Sequence, residues 1–171
     1  MRGSILLIIS LGLFCTQDRM GDEKEVGYKQ VIKDFKMIET KLGKRSWQLM
    51  AASAYVYEHK IKVNDLTLLF FNGDGATTAT IVAPKGFVYS KTHDMVATGG
   101  VEAVTNDSSF LKAESLFFQN DSTLIKTDSK VTITRADGTE LTGKGLVTTP
   151  NLTKIEIGGE IKGTTPLEPE R

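Results

Sequence analysis

Lys130-Val131-Thr132-Ile133-Thr134-Arg135 alternates polar and apolar residues without a break. In an extended chain Val131 and Ile133 then face one way, and Lys130, Thr132 and Thr134 the other. The same period recurs near the C-terminus, where Ile155, Ile157 and Ile161 oppose Glu156, Glu160 and Lys162. Each pattern predicts a strand with one dry and one wet face. Runs rich in Val, Ile, Thr, Tyr and Phe also occupy 46–57, 62–72, 77–83, 86–91, 95–105, 110–119, 123–127, 139–147 and the wider 154–162. Turn formers separate them: Asn72-Gly73-Asp74-Gly75, Asn106-Asp107-Ser108, Asn120-Asp121-Ser122 and Ala136-Asp137-Gly138. Gly and Asn tolerate positive φ there, and Asn or Asp side chains bond the backbone two residues on. Asn106, Asn120 and Asn151 also open glycosylation triplets, but the turn reading takes precedence. Pro84 and Pro150 fall at expected strand ends, where a missing N–H costs no ladder bond. Many short strands and no strong helix predict an all-β sandwich, jelly roll or barrel-like sheet.

One segment is ambiguous. Tyr28, Val31, Phe35, Ile38 and Leu42 fit a helical stripe, whereas Phe35 and Met37 alternate with their neighbours as a strand would.

Composition narrows the function. The chain has 171 residues, 21 basic against 21 acidic, 40% hydrophobic and 25% charged, the balance of one ordinary globular domain. Zero net charge disfavours nucleic-acid binding. Two histidines, His59 and His93, and the single Cys15 exclude multi-thiolate or multi-imidazole metal sites and any internal disulfide. No metal, cofactor or catalytic residue is expected. Both histidines lie in predicted turns, Glu58-His59-Lys60 and Thr92-His93-Asp94, away from any nucleophile motif. An enzyme is the disfavoured class.

The N-terminus reads as an export signal. Arg2 precedes an apolar run at 5–14, and Cys15 and polar residues follow. A ten-residue helix rises about 15 Å, half of what a spanning segment must cross, so the run suits a signal peptide better than a transmembrane helix. The cysteine at that boundary resembles a bacterial lipoprotein processing site, where the thiol is acylated and becomes the new N-terminus. Phe14 and Leu13 depart from the small residues usual before it. The other reading is a differently cleaved or uncleaved signal with an incidental thiol.

Several segments in one order resemble the LptC family, the periplasmic partner of the lipopolysaccharide-export ABC transporter. They begin with Trp47-Gln48-Leu49-Met50-Ala51-Ala52-Ser53-Ala54-Tyr55, and continue through Leu66 to Phe71 and Ile81-Val82-Ala83-Pro84-Lys85-Gly86. Gly99-Gly100-Val101-Glu102-Ala103 and Phe110-Leu111-Lys112-Ala113-Glu114-Ser115-Leu116 follow. Then come Ile125-Lys126-Thr127-Asp128-Ser129-Lys130-Val131-Thr132-Ile133, Thr142-Gly143-Lys144-Gly145-Leu146 and the closing stretch from Ile155 to Gly163.

The resemblance implies an antiparallel β-jelly roll or open β-sandwich, with a first strand at 32–40 pairing with the strand that starts at Trp47. Together with the export signal, it divides the chain into a signal peptide at 1–15 with a lipoprotein-type cysteine, a linker at 16–31, a periplasmic domain at 32–164 and a tail at 165–171. It implies no enzyme, but passage of lipopolysaccharide or a similar glycolipid along an apolar groove. The expected lining is Leu49, Ala51, Leu68, Phe70, Val82, Val101, Ala103, Leu116, Phe118, Ile125, Val131, Ile133, Ile155 and Ile157. The same residues would equally pack on one another as a closed core. Implied partners are the inner-membrane export transporter, at the edge strand 32–40, and an LptA-like periplasmic bridge protein, at the edge strand 154–163. Gly158 and Gly159 in the latter predict a bulge. The implied location is the periplasm, anchored to the inner membrane, with a lipid on Cys15 in place of the family's usual helix. The competing function is a generic β-sandwich lipoprotein that binds a protein partner and needs no groove.

Overall fold

The computed structural model describes residues 27–159 and 161–164, and every regular element among them is a strand. The signal, Cys15, most of the linker, Glu160 and the tail lie outside the described residues. The elements are β1 (Gln30–Lys41), β2 (Lys44–Val56), β3 (Lys60–Phe71), β4 (Thr77–Tyr89), β5 (Met95–Thr105), β6 (Phe110–Gln119), β7 (Leu124–Thr134), β8 (Glu140–Thr148), β9 (Ile155–Ile157) and β10 (Lys162–Thr164). They form one ten-stranded antiparallel sheet in which each strand from β1 to β8 pairs with the next in sequence. Both β9 and β10 pair with β8. The sheet does not close. β1 is one edge, and β9 with β10 is the other.

Five of the strands change their inward face at mid-length. In β2 the buried apolar residues are Trp47, Leu49 and Ala51, then Ala54, a step of three where a regular strand requires two. The same step separates Val63 from Leu66 in β3, Ala83 from Gly86 in β4, Ala113 from Leu116 in β6 and Gly143 from Leu146 in β8. At these points the ladders skip: Asp34 and Asp65 have φ of 51° and 52°, and extra residues bulge out near Gly99–Gly100, Asp128–Ser129 and Gly145. Gly99 and Gly100, with φ of 88° and 89°, adopt a conformation that side chains resist. Aligned across the sheet, these irregularities make a crease, because bulges bend strands locally.

The crease divides each strand between two layers. Residues 35–41, 44–51, 66–71, 77–83, 101–105, 110–113, 131–134 and 140–143 form the first layer. Residues 30–33, 53–56, 60–64, 85–89, 95–98, 115–119, 124–127 and 146–148 form the second. The sheet doubles back so that the layers meet: the ring of Phe70 in the first lies edge-on to that of Phe118 in the second, 4.9 Å between centroids. Each change of inward face keeps apolar residues pointing into the shared interior on both sides of the bend.

Three expectations are corrected by this crease. The segments 77–83 and 86–91 are one strand, β4, and 123–127 and 130–135 are one strand, β7. Pro84 therefore sits inside a strand, not at its end. It lies where pairing to β5 breaks between Val82 and Lys85, so the N–H it lacks has no ladder partner to lose. The late strand 154–162 is interrupted outright by Gly158–Gly159, not merely bulged, and resumes as β10 along the same side of β8. The ambiguous early segment is strand β1, turned into β2 by Leu42 and Gly43 at positive φ.

Candidate functional site

The interior between the layers gathers most of the residues expected to line a groove. Of the expected lining, Leu49, Ala51, Leu68, Phe70, Val101, Ala103, Leu116, Phe118, Ile125, Val131 and Ile133 are buried together in one apolar cluster. Ile155 and Ile157, on β9, are half-buried and pack against it. Val82 does not belong. It is 40% exposed, because Ala79, Ile81 and Ala83 take the inward positions of β4 and alternation turns Val82 outward beside Thr67 and Glu102.

Among the described residues no charged side chain is buried, and every buried side-chain nitrogen or oxygen has a hydrogen-bond partner. The interior is well filled: a cavity of about 20 Å³, bounded by Leu49, Leu68, Ile81, Met95, Leu116 and Phe118 among others, remains between the layers. That is room for about one water molecule, far short of an acyl chain. A lipid enters only if the layers part.

What holds them together at the mouth opposite the crease is a polar latch centred on Asn120, in the β6–β7 turn. Its side chain accepts a hydrogen bond from the indole N–H of fully buried Trp47 in β2, at 2.9 Å, and donates to the Thr92 carbonyl at 3.2 Å. Its backbone N–H donates to Asp94 Oδ1 at 2.8 Å, and its carbonyl accepts from Lys41 Nζ at 2.8 Å. Beside it His93 Nδ1 lies 3.1 Å from Glu39 Oε2 of β1, and the His93 ring stands edge-on to Trp47. One buried asparagine thus ties β1, β2, the β4–β5 turn and the β6–β7 turn. With its amide groups engaged and 8% of its surface exposed, Asn120 is a poor glycan acceptor.

Sequence reading missed the latch, since Trp47 and Asn120 are far apart in the chain and a contact between layers leaves no periodic trace. The approach of His93, in its turn, to Glu39 leaves no local trace for the same reason.

The turns at the other strand ends carry structure rather than chemistry. The Thr105 hydroxyl, then the Ser109 amide, hold the Asp107 carboxyl below the usual carboxylate range. The Thr139 amide does the same for Asp137. Among the described residues no group of three His, Cys, Asp or Glu side chains could hold a metal ion, and no helix is long and apolar enough to cross a membrane.

No curated protein matches this chain. Among solved structures it is similar to LptH of Pseudomonas aeruginosa, described as the LptA homologous periplasmic component of the conserved lipopolysaccharide transport device. The identity is 10% and the TM-score 0.33, over 82% of this chain and 94% of that one. The family described as "Lipopolysaccharide-assembly, LptC-related" matches residues 5–166, nearly the whole sequence. This chain therefore belongs to the LptC-related family of lipopolysaccharide-assembly proteins, whose work is lipid transport and not catalysis.

Proposed function

We propose that this protein accepts lipopolysaccharide from the inner-membrane export transporter, carries its acyl chains between the two layers and passes it to an LptA-like bridge. Membership of the family gives the role in lipopolysaccharide transport; the route and the hand-off are the proposal. The observation that carries it is an apolar interior reaching from Phe35 on edge strand β1 to Ile155 and Ile157 on edge strand β9, with both edges unpaired among the described residues. Each methylene left in water instead of in such an interior would cost about 0.8 kcal/mol, so a continuous apolar passage suits acyl chains that must cross an aqueous compartment. Unpaired N–H and C=O groups at β1 and at β9–β10 suit strand addition by the transporter and the bridge, which would join one apolar interior to the next. A lipid on Cys15 would hold the domain at the inner membrane, on its periplasmic side.

A photoreactive residue at Phe118 or Ile133 is expected to crosslink to lipopolysaccharide, and one at exposed Lys130 is not. Equal labelling at all three sites overturns the interior route. The small cavity favours a second reading, a permanently closed sandwich that binds only protein, and it predicts labelling at none of them.

A further inference from the structure

The outer face of the second layer carries an aromatic band that the transport route does not use. Along one row of the ladder, Tyr55 pairs with Lys62, Lys62 with Phe87, Phe87 with Val96, Val96 with Phe117 and Phe117 with Lys126, all on the side opposite the core. Tyr89 stands beside Phe87, their rings 5.2 Å apart. Tyr28 lies edge-on to both Tyr55 and Tyr57, and the amines of Lys60 and Lys62 lie over the Tyr57 ring. The chain has four tyrosines, and all four are on this face. Tyr28 and Tyr89 are 53% and 41% exposed. The outer face of the first layer differs in kind: beside Thr67, Thr80, Thr132 and Thr142 it exposes Ile38, Val82, Val104 and Phe110 but no tyrosine, and its Lys112 is paired to Glu102 at 2.9 Å.

Tyrosine is enriched where one end of a side chain meets hydrocarbon and the other meets water, and lysine reaches past apolar surface to the headgroups. The chain also arrives at this face. Tyr28 is the second described residue, and the apolar run at 5–14 precedes it in sequence. From Cys15 to Gly27 the tether spans roughly 40 Å at most, since an extended chain covers about 3.3–3.6 Å per residue. We infer that the outer face of the second layer rests on the surface of a phospholipid bilayer, with the four tyrosines, Phe87 and Phe117 at the level of the headgroups. Face-on contact leaves both sheet edges uncovered, so the inference is independent of which partner binds which edge.

Hydroxyl-radical footprinting of the full chain in phosphatidylethanolamine–phosphatidylglycerol vesicles tests it. Phe110, 46% exposed on the first layer's outer face, is the internal control. A face in contact about 80% of the time is oxidised about fivefold more slowly, so Tyr28 and Tyr89 are expected to slow by that factor between micelle-free solution and vesicles while Phe110 does not. In the Phe87→Ser, Phe117→Ser variant, with folding checked by its circular dichroism, the protection is lost. Unchanged rates at Tyr28 and Tyr89 in the wild type overturn the inference. So does protection that fades as the protein is diluted among excess lipid, which would mark a second copy of the chain on this face.

Discussion

Replacing Asn120 by alanine removes two side-chain hydrogen bonds from the mouth of the fold and leaves two backbone ones in place. The bond to the Thr92 carbonyl contributes about 1 kcal/mol. The bond from Trp47 matters more, because the indole is fully buried and its N–H, once orphaned, loses about 1–3 kcal/mol of solvation with nothing in return. A total of about 2–4 kcal/mol corresponds to a fall in Tm on the order of 10 °C for a domain of this size. Thermal and urea unfolding followed by circular dichroism reads both quantities. The Trp47→Phe background sharpens the test, since a phenyl ring has no N–H to orphan. There Asn120→Ala should cost about 1–2 kcal/mol less than in the wild type, and the double-mutant cycle reports that coupling directly. A cost within about 0.5 kcal/mol of zero, or strict additivity, refutes the claim that this bond latches the layers. A weakened latch should also speed lipid uptake into the interior, measured with the Phe118 crosslinker, since the same bond opposes parting.

Other perturbations probe different parts. A Cβ at Gly86 would stand 2.5 Å from both Leu66 Cδ2 and the Val96 carbonyl oxygen, so Gly86→Ala should destabilise by about 2 kcal/mol or more in a urea titration, while Gly27→Ala, with open space around it, should not. Asp107 is held below its ordinary pKa, so its contribution is complete above the unfolded value near about 3.9 and is lost as pH falls through the lower folded value. Asp107→Asn should therefore flatten the stability profile of the wild type below that pH and leave its shape at neutral pH unchanged. Deleting residues 155–164 should weaken binding to an LptA-like bridge in a pull-down with little loss of the remaining sheet, and unchanged binding removes the edge assignment. Mass spectrometry of the mature N-terminus should find an acylated Cys15, and a free thiol there ends the anchoring proposal.

Alternation made the strands around Val131 and Ile133 legible, and the Asn, Asp and Gly clusters marked their turns. The crease was hidden because it breaks the period used to find strands. Pro84-Lys85 and Asp128-Ser129 looked like gaps between elements, when each is a mid-strand bend with pairing on both sides. Val82 was misplaced because its own hydrophobicity says nothing about which parity faces inward; its neighbours Ile81 and Ala83 decide that. The lining set otherwise followed the alternation closely enough for eleven of its fourteen members to be buried in one cluster. The latch across the mouth was hidden because its partners come from elements that no local pattern connects.

Because every strand from β1 to β8 crosses the crease, the bend runs along the direction in which strands are added. Its length is counted in strands, at about 4.8 Å each, and not in residues per strand. Eight strands give a trough on the order of 35 Å. Lengthening a strand would only deepen the walls. A neighbouring chain bent at the same place and paired at either edge would extend the trough by its own width, much as boards are added to a gutter.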